Sequence, residues 1–248
     1  MSTRRGKAIL ASLLAFAVIA HAEPAKVTHI DPPKRMLFVG NSFTYFNDGV
    51  PLHVKQLAAA ADSDKAALYD YRMVTISGAW LRELEPMLTA SLKGAKWDVV
   101  VLQGQSREPS DTKDVESFRA TVRSFDKAIR DSGAKTVLYM TWPYKDTPAM
   151  TQPLADGYVA IANEVNALVV PVGIAFDKSS RENPSINLYY VDGKHPSAEG
   201  TYLAACVFYS AFYAKSAEGN SYRSTLDPKQ ALILQKSAWE TVRAFYNW

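Results

Sequence analysis

The sequence predicts an α/β fold, a three-layer α/β/α sandwich around a mainly parallel sheet of about five strands. Three observations predict it. From residue 36 onward, short and continuously apolar runs alternate with longer segments of helical periodicity. Strands without polar alternation need both faces covered, as in a parallel sheet between helices. Finally, 248 residues suit one medium-sized domain, and a composition that is 48% hydrophobic and 21% charged can bury a core without disulfides or metals.

The elements follow in order. Met36-Leu37-Phe38-Val39 reads as a buried strand ending at Gly40, and a helix follows from about Pro51. Tyr71 to Ile76 reads as the second strand, and Trp80 to Leu92 as a helix containing Pro86. Trp97 to Leu102 is the third strand, with three consecutive valines. Val115 to Ile129 is a helix with Phe118, Val122, Phe125 and Ile129 on one face. Val137 to Thr141 is the fourth strand, Leu154 to Ala167 a helix and Leu168 to Val172 the fifth strand. Helices over about Ala198 to Ala214 and Pro228 to Trp248 complete one domain spanning residues 36–248, with no internal repeat.

The chain opens differently. Arg4, Arg5 and Lys7 precede an apolar run from Ala8 to Ala20 and the small-residue pattern Ala20-His21-Ala22. This is the layout of a secretory signal peptide, residues 1–22, with cleavage after Ala22 and a periplasmic or secreted product. The run is short for a membrane span of roughly 20 residues, so an uncleaved anchor is the lesser alternative. Residues 23–35, with Pro24, Pro32 and Pro33, read as an extended lead-in. Of 28 basic residues the leader holds three and no acidic one, so the mature chain carries 25 of each sign. That balance gives no electrostatic reason to expect nucleic acid or stable membrane association as partners.

Ligands bind open α/β sheets at the carboxyl ends of the strands. Polar clusters follow those ends: Gly40-Asn41-Ser42-Phe43-Thr44, Ser77-Gly78-Ala79-Trp80 and Gln103-Gly104-Gln105-Ser106. Asp192-Gly193-Lys194-His195 stands in the last third. A serine nucleophile needs a base, usually a histidine oriented by a carboxylate. His21 and His29 fall in the leader and lead-in. His53 sits in a helix with no nearby carboxylate, reads as structural or exposed, and its replacement is expected to be nearly silent. His195 has Asp192 three residues ahead, a spacing that brings a carboxylate to Nδ1 and leaves Nε2 for a serine. A plain turn before Pro196 is the rival reading. The lone cysteine, Cys206, lies in an apolar helical stretch and reads as a buried, inert thiol.

Together these blocks resemble the SGNH hydrolases, the GDSL-like esterase superfamily, and within it a bacterial subset with a Gly-Asn-Ser-Phe-Thr first block. The resemblance implies Ser42 as nucleophile, Asp192 and His195 as its partners, and a sheet of the SGNH, flavodoxin-like kind. It also implies an oxyanion hole from the backbone N–H groups of Ser42 and Gly78. The usual Gly-x-Asn block is replaced by Gln103-Gly104-Gln105, so Gln105 stands for the asparagine, with Gln103 as rival. This stretch is similar to the Gln-Gly-Glu-Ser block of sialic-acid and xylan acetylesterases.

The implied chemistry is two-step acyl transfer without cofactor or metal. No metal-hydrolase motif, P-loop, dinucleotide fingerprint or Gly-x-Ser-x-Gly elbow is present. Tyr45, Phe46, Trp80, Trp142 and Tyr144 follow strand ends, and Trp80 and Trp142 are candidate stacking platforms for a glycan ester, with core or rim packing as the alternative for each ring. The residues 143–156 read as a loop over the site. O-deacetylation of a carbohydrate is the expected activity. A lipid ester or thioester hydrolase, and a catalytically silent carbohydrate-binding relative, are the alternatives.

Overall fold

The computed structural model describes residues 24–248, so the leader reading of residues 1–22 lies outside them. The elements are β1 (Arg35–Gly40), α1 (Ser42–Tyr45), α2 (Val50–Ala61), β2 (Asp70–Thr75), α3 (Glu85–Gly94), β3 (Val99–Leu102) and α4 (Val115–Asp131). They continue with β4 (Lys135–Tyr139), α5 (Thr151–Val165), β5 (Leu168–Val170), α6 (Val172–Glu182), α7 (Ala198–Tyr213) and α8 (Pro228–Tyr246). The five strands form one sheet in the order β2-β1-β3-β4-β5, and every pairing is parallel.

Alternation along each strand divides the core in two. Met36 and Phe38 of β1, with Val99 and Val101 of β3, pack toward α2, α6, α7 and α8. Leu37, Val39, Val100 and Leu102 pack toward α3, α4 and α5 on the other face. Because both faces are covered, both sets of side chains are apolar, which is why these strands read as unbroken hydrophobic runs. In α4 the 4-3-4 spacing holds, with Phe118, Val122, Phe125 and Ile129 all buried. Helix α7 is buried on nearly every side and packs against α2, α6 and α8. The lead-in runs beside β5, where Val27 bridges Leu168 in parallel and the Asn163 side chain bonds Pro24 and Lys26.

Three segments differ from their expected form. The helix expected from Trp80 begins at Glu85, after a 3-10 turn over Leu81–Leu84. Pro86, without an N–H, fits the first turn of a helix and not its interior. Helix α6 was not expected. Gly173 lowers its helical signal, yet a Cβ there would lie 2.1 Å from the Thr141 carbonyl oxygen, so close backbone approach requires glycine. The expected loop over residues 143–156 is also shorter, since a 3-10 turn at Pro148–Met150 leads into α5 at Thr151.

Candidate active site

Strand order places the site. After β1 the chain moves outward to β2 and then returns past β1 to β3, so the winding reverses between β1 and β3. Such a reversal opens a crevice at the carboxyl ends of the strands. Ser42 follows β1 after the single residue Asn41, and Gln103 to Gln105 follow β3.

Ser42 is the first residue of α1, behind Asn41, whose Oδ1 accepts the Phe43 N–H at 3.2 Å as an N-cap. Gln103 fixes this turn from β3. Its Oε1 accepts the Asn41 N–H at 3.0 Å and the Thr44 hydroxyl at 2.9 Å. Its Nε2 donates to Asn41 Oδ1 at 3.0 Å and to the Gly104 carbonyl. A Cβ on Gly40 would sit 2.5 Å from Gln103 Oε1, so glycine lets the strand end meet the carboxamide. The rival assignment of Gln103 as an oxyanion donor is therefore corrected. The side chain is wholly buried, and both ends of its amide are already committed.

The structure brings the three expected side chains into one line. Ser42 Oγ lies 2.8 Å from His195 Nε2, and His195 Nδ1 lies 2.5 Å from Asp192 Oδ2. Asp192 can only accept, so Nδ1 carries the proton and Nε2 presents its lone pair to the serine hydroxyl. The second carboxylate oxygen accepts the backbone N–H groups of Lys194 and His195 at 2.9 and 3.0 Å. Burial works to raise the Asp192 carboxyl, but these hydrogen bonds outweigh it and its pKa falls to about 2. The sequence left a plain turn open as the reading of Asp192 to His195; the hydrogen bond to Ser42 distinguishes it from one.

Aromatic rings hold the His195 loop. Phe46 stacks on the His195 ring, centroids 4.4 Å apart and 16° between planes, and Phe43 meets its edge at 5.7 Å. Trp142 is not a stacking platform, which corrects that expectation. Its ring is fully buried between Phe43 and Phe176, each 4.3 Å away, and Nε1 donates to the Lys194 carbonyl at 2.9 Å. A ring with both faces covered supports the loop from below and cannot meet a sugar. Trp80 is partly exposed, with the Arg82 guanidinium 4.9 Å over its ring. Tyr190 is half-exposed, two residues before Asp192, with Phe46 edge-on to it at 5.8 Å.

Gly78 lies in the turn after β2 with φ at +69°, in open space. Ala79 beside it accepts the Asn41 side-chain amide at 3.1 Å, which ties this turn to the residue preceding Ser42. Gln105 lies two residues beyond Gln103. Its own N–H donates at 2.9 Å to Glu108 Oε2, which also accepts the Leu81 N–H at 3.4 Å. Glu108, which the sequence reading missed, thus bridges the turns carrying Gly78 and Gln105. Burial lifts its carboxyl above the usual range, with the two N–H groups pulling the other way. Arg-Glu-Pro reads as a surface turn, and no sequence signal marks this carboxylate as buried.

His53 is buried and structural, its ring bonded to Tyr222 and to the Asn47 carbonyl. Cys206 is buried, and burial pushes its thiol well up, which fits an inert group. Among the described residues no three His, Cys, Asp or Glu side chains gather as metal ligands, and no helix is long and apolar enough to cross a membrane.

No family model matches the chain, and no curated protein matches it. Solved structures do. A protein from Slackia heliotrinireducens, assigned provisionally as an SGNH hydrolase, is 27% identical with a TM-score of 0.61, over 71% of this chain and 97% of that one. A DUF4886 family protein from Bacteroides uniformis superposes with a TM-score of 0.68 at 19% identity, over 84% of this chain and 93% of that one. A catalytic mutant of an acetylxylan esterase from Geobacillus stearothermophilus gives 0.59 at 21% identity, over 74% and 96%. The fold is that of the SGNH hydrolases, the superfamily whose blocks the sequence resembles, and these likenesses support a hydrolase.

Proposed function

We propose that the protein is a serine esterase that removes acetyl groups from a carbohydrate, with Ser42 as nucleophile, His195 as general base and Asp192 as its orienting partner. One observation carries the reading: the unbroken hydrogen-bond line from Ser42 Oγ through His195 to Asp192, at the point where the sheet reverses its winding. Ser42 Oγ attacks the ester carbonyl carbon while its proton passes to His195 Nε2. The imidazolium then donates from Nδ1 to an Asp192 carboxylate that stays ionised, and gives the Nε2 proton to the departing alcohol. Water repeats the sequence on the acyl-enzyme and releases acetate.

The tetrahedral oxyanion is assigned to the backbone N–H groups of Ser42 and Gly78 and the Gln105 carboxamide. One such donor is worth about 3 kcal/mol in the transition state. The acetylxylan esterase among the structural neighbours supports a sugar ester as substrate, as do the partly exposed rings of Trp80 and Tyr190 beside the site. A small acyl pocket excludes longer chains, whereas a hydrophobic groove gains roughly 0.8 kcal/mol per buried methylene. Rates on p-nitrophenyl esters therefore fall steeply from acetate through butyrate to octanoate, and acetylated xylooligosaccharides are deacetylated. A kcat/KM that rises toward octanoate selects the lipid or thioester reading. Absence of turnover on every ester selects the silent binding relative.

A further inference from the structure

We infer that Asn47 is a positioning residue that clamps the His195 loop to the nucleophile turn, and that His53 and Tyr222 hold Asn47 in the conformation the clamp requires. The inference rests on the esterase reading only for its kinetic consequences; the clamp itself stands on geometry.

Asn47 follows Tyr45 and Phe46, at the end of the segment that carries Ser42. Its carboxamide nitrogen lies 3.0 Å from the Pro196 carbonyl, 2.9 Å from the Ser197 carbonyl and 2.8 Å from Thr201 Oγ1. Two N–H bonds thus serve three acceptors, at the residue next to His195 and in the first turn of α7. The segment bearing the nucleophile is in this way bonded directly to the segment bearing the base, 149 to 154 residues apart in sequence.

The backbone reaches this position through an unusual run. Asn47, Asp48 and Gly49 have φ of +52°, +67° and +85°, three consecutive left-handed residues of which two are not glycine. Asn and Asp tolerate this region better than most residues, but the run persists only where surrounding contacts impose it. His53 supplies such a contact. Its Nε2 lies 2.8 Å from the Asn47 carbonyl oxygen, which can only accept, so Nε2 carries the proton. Nδ1 then accepts from the Tyr222 hydroxyl at 2.7 Å. Tyr222 is held in turn by its carbonyl, which accepts the Tyr202 hydroxyl of α7 at 2.8 Å. The hydrogen bonds therefore run from α7 through Tyr222 and His53 to Asn47, and back to the start of α7. Phe46, immediately before Asn47, is the ring stacked on His195, so a shift of Asn47 also shifts the face against which the imidazole rests. This replaces the expectation that His53 is dispensable.

The test is Asn47→Gly, which keeps the left-handed backbone and removes the carboxamide. Two readouts are taken: kcat and KM on p-nitrophenyl acetate, and the downfield proton resonance of His195 Nδ1–H against Asp192, which needs no substrate. Misplacing a reacting group by about 1 Å costs on the order of 100-fold in rate. The clamp predicts a kcat lowered by about 10- to 100-fold with KM nearly unchanged, and a resonance broadened or lost. A folded Asn47→Gly with unchanged kcat and an unchanged resonance overturns it. Should Asn47→Gly fail to fold, His53→Ala and His53→Gln decide. Glutamine keeps a donor for the Asn47 carbonyl, so His53→Gln retains the resonance and much of the rate that His53→Ala loses. Equal behaviour of the two variants and the native protein overturns the clamp. A native protein inactive on every ester sinks the esterase reading alone, and the resonance then judges the clamp by itself.

Discussion

The Ser42 turn and the His195 loop meet at the hydrogen bond between their two side chains, yet they are built on opposite principles. Around Ser42 the chain is enclosed: Asn41, Thr44 and Gln103 are buried and every amide atom of Gln103 is engaged. Around His195 the chain is open. Val191 is 92% exposed, and the Asp192 and His195 side chains are 38% and 27% exposed. Apart from the bond to Ser42 and the Phe43 and Phe46 rings on His195, three long-range hydrogen-bonding groups hold this loop: Trp142 Nε1 on Lys194, the Lys145 N–H on the Gly193 carbonyl at 2.9 Å, and the Asn47 carboxamide. A buried network makes the Ser42 turn part of the core, so damage there is read as lost stability. A loop pinned at a few points can move without unfolding the domain, so damage there is read in kcat.

The sharpest way to break that contrast is Gln103→Ala. It leaves the Asn41 N–H, the Thr44 hydroxyl and the Gly104 carbonyl buried without partners, at roughly 1–3 kcal/mol each. Chemical denaturation should show a loss of about 3 kcal/mol or more. A loss under about 1 kcal/mol would mean the turn is not held from β3. Next in size is Trp142→Phe, which keeps the aromatic stack and removes the Nε1 donor to Lys194. The expected loss of stability is about 1 kcal/mol, accompanied by a lower kcat on p-nitrophenyl acetate with little change in KM. An unchanged kcat would show that the loop does not depend on this bond.

The smallest effect is electrostatic. The Asp192 pKa falls from an ordinary 3.8 to about 2, so its contribution to stability is present above pH 3.8 and lost as pH falls toward 2. The gap in melting temperature between native protein and Asp192→Ala should close across that window. A gap that persists unchanged at pH 2 would contradict the hydrogen bonding assigned to this carboxylate.

The same contrast explains what the sequence made legible. Strands β1 and β3 were readable because a parallel strand covered on both faces is apolar at every position. That Ser42, Asp192 and His195 come together was readable because two short blocks each keep their polar groups within a few residues. Whether Trp142 stacks on a ligand or packs was not legible, since nothing in a sequence says whether a ring after a strand end faces solvent or folds beneath a neighbouring loop. Asn47 escaped notice because Asn-Asp-Gly looks like any turn, and its partners at Pro196 to Thr201 lie far along the chain. Glu108 and helix α6 were hidden for related reasons. Burial of a carboxylate and close approach at Gly173 are tertiary facts, invisible to local pattern.

The central claim is that Ser42 is a nucleophile activated by His195, and labelling with a fluorophosphonate followed by peptide mass spectrometry tests it most directly. The account predicts one adduct per chain, on the peptide containing Ser42. Labelling is abolished in Ser42→Ala and slowed by orders of magnitude in His195→Ala, with the double variant little worse than either single because the groups act as a unit. A native protein that takes no label, or an adduct that forms equally well in Ser42→Ala, would contradict it.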